Sequence, residues 1–198
     1  MATNGIVHAL LRLGACKRSI TWAKELPPSA SLQQAWDLCP HADWLMWLLG
    51  EVRADQKLIV LAACACARTA LQYVPAGENR PRLAIDEAEK WVKGEVCKPW
   101  TAACAASAYT SSGYNSLDEP TVNAAIHAAS AASSVAFSAD AYSTAYVNNG
   151  NLHSVEAASA AVKACYYGEL GSAKYEAQEV MARTVRGFFP HPPTVDFA

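Results

Sequence analysis

Trp36-Asp37-Leu38-Cys39-Pro40-His41-Ala42-Asp43-Trp44-Leu45-Met46-Trp47-Leu48-Leu49-Gly50 opens the stretch that decides the fold class. The stretch continues through Ala62-Ala63-Cys64-Ala65-Cys66-Ala67-Arg68 to Arg80-Pro81-Arg82 and closes at Gly94. Pro40 is placed to open a helix at its first position and Gly50 to close it. The next helix is expected over Asp55 to Tyr73. Leu58 to Ala67 is apolar almost throughout, which predicts a central helix surrounded by others. Pro75-Ala76-Gly77-Glu78-Asn79 is a turn cluster. Pro81 then starts a helix to about Lys93, with Ala84, Ala88 and Trp91 on its inner stripe. Asp86 and Lys90, and Glu89 and Lys93, stand four residues apart in the favourable acid-then-base order.

Helical signals continue on both sides. Upstream, Ser31 with Gln34 forms a capping box ahead of Trp36. Downstream, Ala-Ala-Ser-Ala recurs at 105–108, 128–131 and 157–160, each time inside a helical pattern. Small residues allow helix axes to approach to the lower end of the usual ~8–10 Å range, so these three segments are expected to pack on one another. Ser116 and Glu119 are positioned to cap the helix after Tyr114, and Asn148 to Asn151 reads as a turn. Leu152, Val155, Ser159, Val162 and Tyr166 follow helical spacing, Gly168 and Gly171 bracket a turn, and Ala177, Met181, Val185 and Phe188 make a last apolar stripe. No alternating, strand-like run occurs. The fold class is therefore all-α: one domain over 1–198, a compact bundle of about seven to nine helices of ordinary length. Its C-terminal half packs Ala-rich helices closely. The tail 189–198 holds three prolines and cannot be helical throughout; Phe188, Phe189 and Phe197 are placed to strap it to the body.

Charge narrows the function classes. The chain of 198 residues carries 16 basic and 18 acidic residues, a net charge of −2. Up to Tyr109 there are 12 basic and 10 acidic residues, giving +2, and the remainder is −4. That balance lacks the basic excess of a nucleic-acid-binding surface. The uncharged run Pro120 to Ala139 holds Asn123, His127 and four serines with few large apolar side chains, so it suits burial in protein rather than lipid. Seven scattered cysteines, several inside apolar helical runs, suit a reducing cytoplasm and free thiols.

The chemistry-bearing residues are few. No two of the five histidines have the spacing of a helical metal site. Cys64 and Cys66 have no second pair at zinc-finger spacing, and Cys39 with His41 would supply only two of four ligands. An apolar setting makes Cys64 and Cys66 poor nucleophiles. His127 and Asp140 lie about 20 Å apart along one helix, too far for an acid–base pair. No metal, cofactor or catalytic residue is expected.

Arginines are the better candidates. Arg68 shares a helix face with Leu61, Cys64 and Leu71, so its charge calls for a carboxylate or carbonyl partner. Asp43, Asp86 and Glu89 are the available acids. The competing reading is a contact to a ligand or partner. Arg80 and Arg82 flank Pro81 at a helix start, where backbone N–H groups favour anions; pairing with Glu78, Asp86 or Glu87 is equally open to them. Trp44 and Trp47 lie on one helix side with Leu48 as core, or as partner anchors where exposed.

The Trp36–Gly94 block, with the Ala-rich helices behind it, resembles the immunity proteins of bacterial polymorphic toxin systems, in particular the all-helical fifth immunity-protein family and its phage-borne homologues. Asp43-Trp44-Leu45-Met46-Trp47-Leu48-Leu49, the Cys64–Arg68 helix and Arg80-Pro81-Arg82 carry the resemblance. The serine-rich 107–144 region and the Pro-rich tail depart from it. The resemblance implies a non-catalytic cytoplasmic inhibitor that neutralises a toxin or host-defence effector by stoichiometric protein binding. Arg68, Arg80, Arg82, Trp44 and Trp47 are the expected contact residues, and the Ala-rich helices are compatible with a homodimer. The alternative is a small-molecule binder that sequesters a nucleotide signal in a pocket lined by the three arginines and a tryptophan.

Overall fold

Helix ends are set by side chains that satisfy otherwise unpaired backbone groups. The Gln34 N–H donates to Ser31 Oγ at 3.1 Å, and the Ser31 N–H donates to Gln34 Oε1 at 2.8 Å, completing the capping box seen in the sequence. Asp55 Oδ1 accepts from the N–H groups of Lys57 and Leu58 at 2.8 and 3.1 Å and starts the central helix. In this computed structural model, residues 5–113, 120–143, 147–168 and 174–195 are described. They form ten α-helices and no strand: α1 Gly5–Arg12, α2 Lys17–Glu25, α3 Leu32–Leu38, α4 Ala42–Glu51, α5 Gln56–Ala70, α6 Arg80–Lys93, α7 Pro99–Gly113, α8 Pro120–Ser143, α9 Val147–Gly168 and α10 Lys174–Phe188. A 3-10 turn at Leu71–Tyr73 follows α5.

α8 and α9 pack along each other at the centre. α6 and α7 lie against α8, α4 lies against α9, and α5 touches α6, α8, α9 and α10. The all-α bundle with closely packed Ala-rich C-terminal helices is thus what forms. One buried cluster runs from Ala9 to Val195, and a smaller one joins Ile6, Val7, Ala23 and Ala35 of α1, α2 and α3. The α8–α9 seam is lined by fully buried Ala128, Ala132, Ala136, Ala157 and Ala161. Within it the hydroxyls of Ser138 and Ser154 hydrogen-bond at 2.6 Å. The tail is tied down as well: Trp36 Nε1 donates to the Phe189 carbonyl at 2.9 Å, Gln33 Nε2 donates to the Pro190 carbonyl at 3.2 Å, and Val195 is buried.

Several local expectations are corrected. α4 begins at Ala42 and contains Gly50. The chain turns out of it at Arg53, which has φ 54°. The Ala54 N–H donates to the Leu49 carbonyl at 2.9 Å and the Arg53 N–H to the Gly50 carbonyl at 3.0 Å, the bond pattern of a Schellman cap without its usual glycine. Asn148 to Asn151 belongs to the first turns of α9 rather than to a turn, because helix propensity is a weak prior that tertiary packing overrides. On α6, Lys90 pairs with Glu87 at 2.6 Å; Asp86 and Glu89 are instead taken by an arginine of α5. The cap at Ser116 and Glu119, Gly171 and Phe197 lie outside the described residues.

Candidate functional site

α5 is buried through Ile59 and Val60 near its start and through small residues beyond them. Ala62, Ala63, Cys64, Cys66, Ala67 and Ala70 face its neighbours, while Leu58 is exposed and Leu61 half-buried. Arg68 continues that outer edge. Its side chain is 39% exposed, so the expectation of a buried charge is corrected: of the face it shares, Cys64 is buried but Leu61 and Leu71 are only half-buried, and Arg68 lies at the edge of the buried side of α5. Arg68 Nε donates to Glu89 Oε1 at 2.7 Å, and Nη2 donates to Glu89 Oε2 and Asp86 Oδ1, both at 2.8 Å. This fork across α5 and α6 fixes the register of the two helices. Asp43 takes no part in it.

Arg80 pairs with Glu78 through Nε at 2.8 Å and Nη2 at 2.5 Å, and its guanidinium lies 5.5 Å from the centre of the Tyr109 ring. The same bonds hold the Glu78 carboxyl below the usual carboxylate range. Arg82 is exposed. The groove that Arg80 lines includes neither Arg68 nor Arg82, so the arginine-lined pocket expected from the sequence is not assembled there. Two of its three guanidiniums are committed to carboxylates instead.

Trp44 and Trp47 are both half-buried. The His41 ring stacks on Trp44 at 3.8 Å, and Trp22 approaches it at 6.1 Å. Both tryptophans line a small apolar cavity of about 60 Å³ with Trp22 and Trp36. On its other side Trp44 opens, with Asp43, onto a larger polar cleft. Asp43 lines three cavities of about 270, 480 and 280 Å³, and the first two also share Ser159 and Lys163. Asp43 Oδ1 stands 4.0 Å from His41 Nδ1. His127, on α8, stacks on Tyr167 of α9 at 5.3 Å. Burial, then the nearby Lys163 charge, lowers its pKa from 6.5, so its imidazole is neutral at pH 7.

A second surface lies where α6 gives way to α7. Leu83 is 54% exposed, Val96 97% and Trp100 58%. A groove of about 380 Å³ is bounded by Arg80, Leu83, Val96 and Ala105; Trp100 does not line it. Trp100 packs edge-on against Phe137 at 5.2 Å. Sequence reading passed over Trp100, Val96, Arg18 and Lys163. Each is a lone residue whose importance depends on what the fold sets beside it, although Pro99-Trp100 at a helix start is a local signal for an outward-facing aromatic.

Among the described residues no group of three or more His, Cys, Asp or Glu side chains could hold a metal ion, and no helix is long and apolar enough to cross a membrane. Burial pushes the Cys66 thiol up to about 12 and raises Cys64 as well. Neither is poised as a nucleophile. Comparison with protein-family models, with curated proteins and with solved structures finds no match for the chain.

Proposed function

We propose that the chain is a non-catalytic inhibitor that binds a toxin or host-defence effector stoichiometrically through the α6–α7 surface. One observation carries the reading: Leu83 and Val96, two large apolar side chains each more than half exposed, line one groove, and the exposed Trp100 stands at the start of α7, the helix that supplies the groove's other wall. Exposed large apolar side chains beside a groove mark an interaction site, and an exposed tryptophan on the adjoining helix is a natural anchor. The resemblance of Trp36–Gly94 to immunity proteins supports the same class. All seven cysteines are free thiols, which accords with action in the cytoplasm of a bacterial cell. The partner contacts move from Arg68 to this strip, because Arg68 spends its donors within the chain.

The test is capture from bacterial lysate with the tagged protein and with Val96→Asp and Leu83→Asp variants, both at exposed positions that leave the core intact. The expected result is a 1:1 protein partner whose growth-inhibiting activity is relieved by the unaltered chain. The aspartate variants keep the same melting temperature and lose both capture and relief. Capture that persists in both variants would overturn the proposal, and a second copy of this chain as the only partner would replace it with a homodimer.

A further inference from the structure

The cleft around Asp43 holds groups that the fold leaves uncommitted. Arg18 of α2 and Lys163 of α9 both line its 270 Å³ part, and neither forms an ion pair among the described residues. Of the acids nearby, Glu156 is engaged by His153 Nδ1 at 2.9 Å, which leaves Asp43 as the carboxylate that lines the 270 Å³ part with them. Two cations against one carboxylate favour an anionic ligand.

The adjoining 480 Å³ part runs between α8 and α9. Ser134 lines it at 7% exposure, and its hydroxyl has no hydrogen-bond partner among the described residues. A buried hydroxyl calls for a partner, and this one adjoins the space a ligand would fill. Flat rings border the cleft at the other end, where Trp44, Tyr166 and Tyr167 line the 270 Å³ part. Cavities of this size lie in or near the ordinary range of small-molecule sites, about 300–1,000 Å³.

We propose that this cleft binds a nucleoside monophosphate. Arg18 and Lys163 take the phosphate, Asp43 and Ser134 hydrogen-bond the sugar hydroxyls, and the base lies against the tyrosine and tryptophan rings. Of the residues named in the sequence as ligand contacts, Trp44 alone belongs to this part of the cleft; the cations come from α2 and α9 rather than from Arg68, Arg80 and Arg82. The site is separate from the α6–α7 strip, so either proposal can fail without the other.

Isothermal titration calorimetry on the full chain tests it with AMP, GMP, CMP and UMP, and with ribose 5-phosphate and inorganic phosphate as controls. At least one nucleoside monophosphate is expected to bind about tenfold or more tightly than ribose 5-phosphate, the difference that base stacking supplies. Inorganic phosphate should be weaker still. Lys163→Ala and Arg18→Ala, both at exposed positions, should each weaken binding about tenfold without lowering the melting temperature. Ser134→Ala should weaken binding while the free protein keeps or raises its melting temperature, because an unpartnered buried hydroxyl is removed. No heat from any of the four nucleotides at millimolar concentration would overturn the proposal. So would equal affinity for inorganic phosphate, or unchanged affinity in Lys163→Ala.

Discussion

The sector built on α4, α5 and α6 and the α8–α9 pair are both buried, but by opposite means. In the first, Leu45, Met46, Leu49, Ile59, Val60 and Ile85 fill the interior, and each such side chain contributes about 1.5–3 kcal/mol of hydrophobic stabilisation. In the second, the interior is mostly alanine with a few serines, and Val135 is its one fully buried larger side chain among the described residues. An alanine removes little area from water, so the pair depends on close axial approach and on the dispersion contacts that approach permits. One region is sensitive to lost volume. The other is sensitive to added volume.

The comparison breaks most sharply at Leu49, which is fully buried. Leu49→Ala should cost about 2–5 kcal/mol in urea denaturation; a loss below about 1 kcal/mol would mean that this sector is not held by large side chains. Ala132 of α8 is equally buried. Ala132→Leu should cost about 1–3 kcal/mol through overpacking, and a stabilised variant would show that the seam has room to spare. At the Arg68 fork the expected loss for Arg68→Ala is about 1 kcal/mol, since exposed pairs are weak singly and this network is solvent-screened. A measured loss near 4 kcal/mol would make the fork a fixed element of α5–α6 packing. Arg53 offers a gain. Its left-handed φ of 54° suits glycine, so Arg53→Gly should raise stability by roughly 0.5–1 kcal/mol in the same assay.

The smallest expected effect is on pH dependence. The folded-state pKa of His127 is lowered from 6.5, so the unfolded chain binds a proton that the native chain resists. The stabilisation from a neutral His127 is present above about pH 6.5 and lost as pH falls through the depressed folded value. His127→Phe should flatten stability below pH 6.5, and an NMR titration should place the native His127 below a denatured-state reference. Lys163→Ala should move it part of the way back.

The apolar runs, the capping box at Ser31 and Gln34, the helix start at Asp55 and the Ala-Ala-Ser-Ala segments were legible in the linear chain, because helix periodicity and capping act over four residues or fewer. Partners were legible only in part. Asp86 and Glu89 stood among the acids open to Arg68, yet Arg68 itself does not lie on the inner face: Leu61 and Leu71 beside it are only half-buried, and the neighbours pack on Ile59, Val60 and the alanines and cysteines of α5. The turn read at Asn148 to Asn151 failed for a similar reason, since weak local preference yields to the long packed seam of α9.

Residue order by itself determined that this chain is helical, where α3, α5 and α6 begin and that small residues would bring α8 and α9 close. Those outcomes rest on backbone hydrogen bonding and side-chain volume within a few residues. Tertiary structure alone decided that Asp43 lines a cleft with Lys163 rather than pairing with Arg68, that Ser134 opens onto that cleft, and that Leu83 and Val96 border one groove. These meetings join positions many residues apart, and only the packing of whole helices, each chosen by which of its faces buries best, sets such distances.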